Sequence, residues 1–284
     1  MFLTGMAANP LVAVAAKTVF DIDFTWTKWA WGALVPGLIG LLLLPWFLKV
    51  LVRPKLKDTS LARDLARKEL QKMGPLSFQE KAMAGVFAML ILLWTTKGLH
   101  GLGTTTVALI GVCVLLLTRT LSWDHIIENK GAWDTLIWLG GLLAMANGLK
   151  KVGFIDWFAD GSYEVIQMTS LTGIGIMIAL GLIYFYSMYG FSMLTAHISA
   201  MVLAFMTIAL KSGVPPLISI AILAYFSDLC ACLTNYSSGP VIIYFGYKYV
   251  KPGQWFSVGF LISLFHLVIW LGIGLLWWKV IGWW

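Results

Sequence analysis

The chain has 284 residues, 60% of them hydrophobic and only 12% charged, and its mean hydropathy is +0.85. A soluble domain carries about 25% charged residues to cover its surface, so these proportions exclude a protein solvated all round, and with it disorder, coiled coil and collagen. The formal charge of +7 would suggest nucleic acid in a soluble protein, but here the basic residues fall in loops between apolar runs, as the positive-inside bias requires, and no nucleic-acid partner is expected.

The opening MFLTGMAANP lacks the basic n-region of a signal peptide and does not read as a natural beginning. A span needs about 20 apolar residues, and residues 29–48 qualify, with Trp29 at one end. A polar connector follows. Within it Ser60–Met73 places Leu61, Leu65 and Leu70 on one side, which predicts an amphipathic helix at the membrane surface. Segments 82–96 and 104–118 form a tight helical hairpin around 97–100, 133–149 is a span interrupted by Gly140-Gly141, and 154–168 is amphipathic. Residues 171–211 are nearly continuous apolar sequence with a polar, Gly-containing middle at 189–197, and read either as two spans or as a hairpin returning to the side it entered. Residues 217–232 run into the polar stretch 234–240, 241–245 is too short to cross alone, and 255–278 is the last span. The connector 53–81 holds eight basic residues (Arg53, Lys55, Lys57, Arg63, Arg67, Lys68, Lys72, Lys81) against Lys97 alone at 97–103, so the connector is placed on the cytoplasmic side. Cys113, Cys230 and Cys232 lie in apolar runs without zinc spacing and read as packing residues, with no metal site expected.

Two segments answer each other. Leu3-Thr4 is followed by GMAAN and Pro10-Leu11, and Leu233-Thr234 by NYSSG and Pro240-Val241. After each come a short apolar stretch, a link with Trp (Trp29, Trp255) and a long span. Inverted-repeat transporters carry interrupted helices at corresponding places and bind substrate where the breaks face each other. On that reading 1–52 is the end of a first repeat with its last transmembrane helix, 53–79 the connector, and 80–284 a second repeat with a hairpin at 171–211, an interrupted helix at 217–248 and the last helix at 255–278. The front of the first repeat is expected to be missing.

Unwound backbone at membrane depth survives only inside protein or along a wet cavity. Thr234, Asn235, Ser237, Ser238, Gly239 and Pro240 supply hydroxyls, an amide, free backbone groups and a helix start. Ser192, Thr195 and His197 form a second polar cluster, and Asn9 lies in the matching first loop. A helix start favours anions, and exposed carbonyls and hydroxyls suit a small hard cation. No Lys or Arg lies in the middle of a span, so hydroxyls, amides and helix dipoles must hold an anionic ligand. Asn235, His197 and Asp228 are the candidates for a coupling cation or proton, an ionisable residue in an apolar run being functional by default. Each has a plainer reading. Membrane Ser and Thr commonly bond their own backbone or a neighbouring helix, His197 reads as a packed histidine, and Asp228 reads as bonding another helix. His266 and the 184–189 aromatics are taken as structural. Ser237 or Ser238 with His197 and Asp228 would make an intramembrane hydrolase set, but no G-x-S-x-G elbow is present, and no enzyme is expected.

Residues 229–246, LCACLTNYSSGPVIIYFG, closely resemble the last interrupted helix of the divalent anion/sodium symporter family, nearest its branch of bacterial citrate/succinate and malate carriers and plastid 2-oxoglutarate/malate translocators. Thr195-Ala-His197 resembles that branch's re-entrant hairpin tip, and residues 1–11 resemble the loop ending its first repeat. Met73-Gly-Pro-Leu-Ser77 and the run from Trp133 to Trp138 fit as well. The resemblance implies an all-α, two-repeat elevator-type carrier of di- and tricarboxylates such as malate, succinate, 2-oxoglutarate and citrate. It further implies a homodimer in the bilayer, in the bacterial cytoplasmic membrane ahead of the plastid inner envelope, and it makes 171–211 a hairpin from the outer face. Sodium-coupled members carry Ser-Asn-Thr at that tip, whereas this chain reads Ser192-Met-Leu-Thr195. The missing Asn favours exchange of dicarboxylates over sodium symport, with a sodium ion as the one cofactor to consider. The chain lacks roughly the first five spans of such an inverted-repeat carrier, so transport needs the missing half. The alternative outside transport is a membrane scaffold.

Overall fold

The computed structural model describes residues 1–53, 60–171 and 173–284. Lys55 and Lys57 of the basic connector, Thr172 of the hairpin segment, and the side chains of Thr135 and Trp138 lie outside the described residues. The protein is an all-α membrane protein. Among the described residues five helices are long and apolar enough to cross a bilayer: Trp26–Val52, Phe78–Thr95, Leu194–Lys211, Pro216–Leu233 and Pro252–Val280.

In chain order the helices are α1 (Asn9–Phe20), α2 (Trp26–Val52), α3 (Ser60–Met73), α4 (Phe78–Thr95), α5 (Lys97–His100), α6 (Thr104–Leu117), α7 (Trp123–Ile127), α8 (Lys130–Lys151), α9 (Phe154–Gln167), α10 (Ile174–Ser187), α11 (Leu194–Lys211), α12 (Pro216–Leu229), α13 (Gly239–Gly246), α14 (Pro252–Leu267) and α15 (Leu275–Val280). They fall into two compact units, residues 47–134 and the combination of Met1–Trp46 with Thr135–Trp284.

The 47–134 unit is built on the expected hairpin. Ser77 opens α4 with a capping box: its hydroxyl accepts the Glu80 amide at 3.2 Å, and the Glu80 carboxylate accepts the Ser77 amide at 2.7 Å. These bonds satisfy two amides that a helix start leaves unpaired. At the turn, the His100 Nε2–H donates to Leu93 O at 2.9 Å while Nδ1 accepts from Leu102 N at 3.0 Å. The Trp94 indole donates to Thr104 O at 3.2 Å, closing the hairpin. Cys113, expected as a packing residue, is exposed on α6. The apolar side of α3 is exposed throughout.

In the larger unit α11 and α12 form the centre, two thirds buried, with α1, α9 and α10 packed around them. A helix that is apolar all round must be covered by protein or lipid, and these two are covered by protein. The α10–α12 contact is close because Gly181 has no side chain: a Cβ there would come within 2.8 Å of Ile222. Helix α9 lies along α11 and is joined to its far end by the Lys211–Asp160 ion pair. Pro36 inside α2 brings no amide to the carbonyl one turn back, that of Gly32. The Trp278 indole donates to that carbonyl instead, at 2.9 Å. Tyr225 and Trp277 donate to the neighbouring carbonyls of Trp29 and Trp31, each at 2.8 Å. The last span is continuous from α14 to α15 through a π-helical stretch, Val268–Gly274.

Two interruptions matter most. Residues 171–211 form α10, a 3-10 turn at Met188–Gly190, and α11. Residues 216–246 form α12, a 3-10 turn at Cys230–Leu233, a non-helical link with extended backbone at Thr234 and Ser238, and the short α13 with Pro240 in its first turn. The N-terminal segment repeats the second pattern: a 3-10 turn at Leu3–Gly5, then α1 with Pro10 in its first turn.

Candidate functional site

The two interruptions meet. The Leu194 amide, first of α11, donates to the Ser237 carbonyl at 2.9 Å, and the Tyr236 hydroxyl donates to the Tyr189 carbonyl at 3.4 Å. The start of α11 and the start of α13 therefore lie side by side. The first amides of each have no acceptor within their own helix, and the dipoles of both place partial positive charge there. Residues 188–197 and 229–246 contain no Lys or Arg, so this backbone polarity is the positive character of the place.

Around that contact Ser192 is exposed, Thr195, Asn235 and Ser238 are partly buried, and Gly239 and Pro240 are exposed. Ser238 is extended at the N-cap of α13 and makes no side-chain capping bond. Thr234 is fully buried, and its hydroxyl has no partner. Ser237 differs from the other hydroxyls: it is buried and donates to Ala231 O at 2.8 Å, holding the 3-10 turn to the link. That use of the hydroxyl is structural and was not visible in the residue type.

His197 is fully buried and turned into its own hairpin. Its Nε2 lies 2.8 Å from Ser187 Oγ and 3.0 Å from Tyr184 O, and its ring packs 4.5 Å from that of Tyr184 and 5.1 Å from that of Phe191. Ser187 also donates to Tyr184 O, at 2.8 Å. These bonds hold α10, the turn and α11 together. The Tyr184 hydroxyl bonds Ser227 at 2.7 Å, and Ser227 itself donates to Leu223 O, so an aromatic read as core also carries a buried polar tie. Asp228 pairs with Asn9, whose Nδ2 donates to Asp228 Oδ2 at 3.1 Å. Asn9 is thus joined to the end of α12, and among the described residues no hydrogen bond joins it to the Ser192–Thr195 cluster. Ser237, His197 and Asp228 are each bonded elsewhere and not to one another, so no hydrolase relay is assembled. Among the described residues no group of His, Cys, Asp and Glu is arranged to hold a metal ion.

Sequence reasoning missed Tyr189 and Ser187, which close the hairpin tip. Their signal was position alone, next to the Gly190 break.

Along its whole length, residues 1–284, the chain matches the sodium:sulfate symporter transmembrane region. It is 43% identical over 284 residues to the putative malate transporter YflS of Bacillus subtilis, covering 100% of this chain and 59% of that protein. It is 40% identical over 284 residues to Dicarboxylate transporter 1, chloroplastic, of Spinacia oleracea, covering 100% of this chain and 50% of that protein. To the inner membrane protein YbhI of Escherichia coli it is 31% identical over 286 residues, covering 100% and 59%. The chain spans about half the length of the curated relatives it matches.

Proposed function

Because the chain belongs to the sodium:sulfate symporter transmembrane region family, we propose that it is the part of a membrane carrier that holds a di- or tricarboxylate where α11 and α13 begin. One observation carries this reading: the 2.9 Å bond from the Leu194 amide to the Ser237 carbonyl, which sets two helix starts beside each other within membrane-spanning sequence. A carboxylate leaving water needs several charge-assisted hydrogen bonds, and here they come from amides, the Thr195 and Ser238 hydroxyls and the Asn235 carboxamide rather than from a cation. Relatives named for malate and dicarboxylate transport point to the same ligand class. In this reading 171–211 is a re-entrant hairpin. Helix α10 has 14 residues, about 21 Å at 1.5 Å per residue, against a hydrocarbon core of about 30 Å. The matching interruptions before α1 and α13 support two inverted repeats, and the homodimer and the requirement for the remaining half of the carrier belong to the same proposal, as does a bacterial cytoplasmic membrane.

We further propose exchange of one carboxylate for another in place of sodium symport, since the tip reads Ser192-Met-Leu-Thr195. The test is reconstitution of the full-length carrier in liposomes with labelled malate, succinate and citrate. Uptake that depends on internal dicarboxylate supports both proposals. Uptake into empty liposomes driven by an inward sodium gradient overturns exchange, and no uptake under any condition overturns the carrier reading in favour of a scaffold.

A further inference from the structure

The Asn9–Asp228 contact has unmatched atoms. The Asn9 side chain is fully buried, and its Nδ2 reaches Asp228 Oδ2 at 3.1 Å. The other two oxygens of the pair, Asn9 Oδ1 and Asp228 Oδ1, are both sealed from solvent without a hydrogen-bond partner. Both are acceptors when the acid is ionised, so neither can satisfy the other. Among the described residues no cation forms an ion pair with Asp228. An ionised carboxylate here would sit in a membrane helix with one hydrogen bond and no ion-paired side chain, an arrangement whose cost is relieved in practice by neutralising the group.

One proton removes the mismatch. A carboxylic acid has one O–H donor and keeps an acceptor oxygen, and a carboxamide has N–H donors and one acceptor oxygen. A protonated Asp228 therefore supplies the donor that the pair lacks, and the Asn9 carbonyl is the acceptor left without a donor.

We propose that Asp228 and Asn9 form a proton-binding site, in which Asp228 is a carboxylic acid paired with the Asn9 carboxamide, and that this proton locks the start of α1 to the end of α12. When the contact opens to water, the acid O–H bond breaks, the proton passes to water and the carboxylate is left hydrated; closing the contact takes one proton back. Among the described residues the titratable groups facing Asp228 are Tyr184 on α10 and Cys230 on the turn after α12, together with the Met1 amino group, which is an uncharged amide wherever residues precede Met1. From α11, His197 is turned to Ser187 and Tyr184, and the charged residue of α1, Lys17, pairs with Asp21 at 2.7 Å. Asp228 is thus the group in the contact whose protonation changes its hydrogen-bond count.

The protonation rests on geometry, and only its consequence for transport rests on the carrier reading. The test has two readouts on the full-length protein. In infrared difference spectra at neutral pH, wild type should show the carbonyl band of a protonated carboxyl, and Asp228→Asn should lose it. Asn9→Leu should keep the band but move it to higher frequency, because the acid loses its amide partner. In liposomes, malate exchange by wild type should fall as pH rises past the site's titration, approaching about tenfold per pH unit, and Asp228→Asn should remove that dependence. A band unaffected by Asp228→Asn overturns the site, and a band unmoved by Asn9→Leu overturns the pairing. A pH profile unchanged in Asp228→Asn overturns the locking role. If wild type transports no carboxylate while the spectra behave as described, the carrier reading falls and the proton site stands.

Discussion

Gly259 is where α14 meets the interruption, and Gly259→Ala tests that seating. Helix α14 packs on the 3-10 turn Cys230–Leu233, and Gly259 is buried in the contact. A Cβ at 259 would overlap the Cys232 carbonyl oxygen and lie 3.2 Å from its carbon and 3.4 Å from the Leu233 oxygen. The obstacle is backbone, which cannot swing aside as a side-chain tip can, so either α14 or the turn must move. The turn is already held on both sides: Cys232 Sγ contacts Gly259 O at 3.6 Å, and Ser237 Oγ holds Ala231 O at 2.8 Å. Overpacking of this kind costs about 1–3 kcal/mol. At about 1.4 kcal/mol per decade, strain falling wholly on the 234–238 link would weaken substrate binding about 5- to 140-fold. The assay is the melting temperature of the full-length carrier in detergent together with its apparent substrate constant in liposomes. Gly253→Ala is the control on the same helix, because a Cβ there meets nothing within 4 Å. A Gly259→Ala protein matching wild type in both measurements refutes the close seating of α14 on the turn.

Asn235→Ala should raise the apparent substrate constant by about 10- to 140-fold, from the loss of one hydrogen bond of about 1.5–3 kcal/mol to a charged ligand, while Ser170→Ala should leave it near wild type; uptake titrations check both. Ser237→Ala should instead lower stability, by about 0.5–1.5 kcal/mol for the lost bond to Ala231 O, and a melting curve separates that outcome from a substrate contact. Trp278→Phe leaves the Gly32 carbonyl beneath Pro36 without a donor and should cost about 1–3 kcal/mol, read as a lower melting temperature, whereas Gly272→Ala, with nothing within 4 Å of the added Cβ, should melt near wild type.

The membrane class and the breaks at 188–193 and 234–238 were legible in the residues because their causes are local. The interruption expected at Gly140-Gly141 does not occur: α8 runs unbroken from Lys130 to Lys151, since glycine weakens a helix without removing a hydrogen bond from it. A bilayer selects long apolar runs, and Pro10 and Pro240 stand in the first turn of a helix, where a missing amide leaves nothing unpaired. The hairpin turn at 97–100 and the interruptions at 188–193 and 234–238 follow from the same short-range chemistry. The roles of individual polar side chains did not follow. Thr234, Ser237 and Ser238 look alike as hydroxyls, yet Thr234 is buried without a partner, Ser237 is spent on Ala231 O and Ser238 makes no capping bond. Asp228 read as either a functional acid or a partner for another helix, and the structure supplies that partner, Asn9, 219 residues away. Position 278 marked only the end of the last span in the sequence, and its Trp completes a carbonyl 246 residues away that Pro36 leaves open. Helix period and turn chemistry set where each segment begins and which residues share a face. Which donor meets which acceptor across hundreds of residues depends on how the helices pack, and only the tertiary structure decides that.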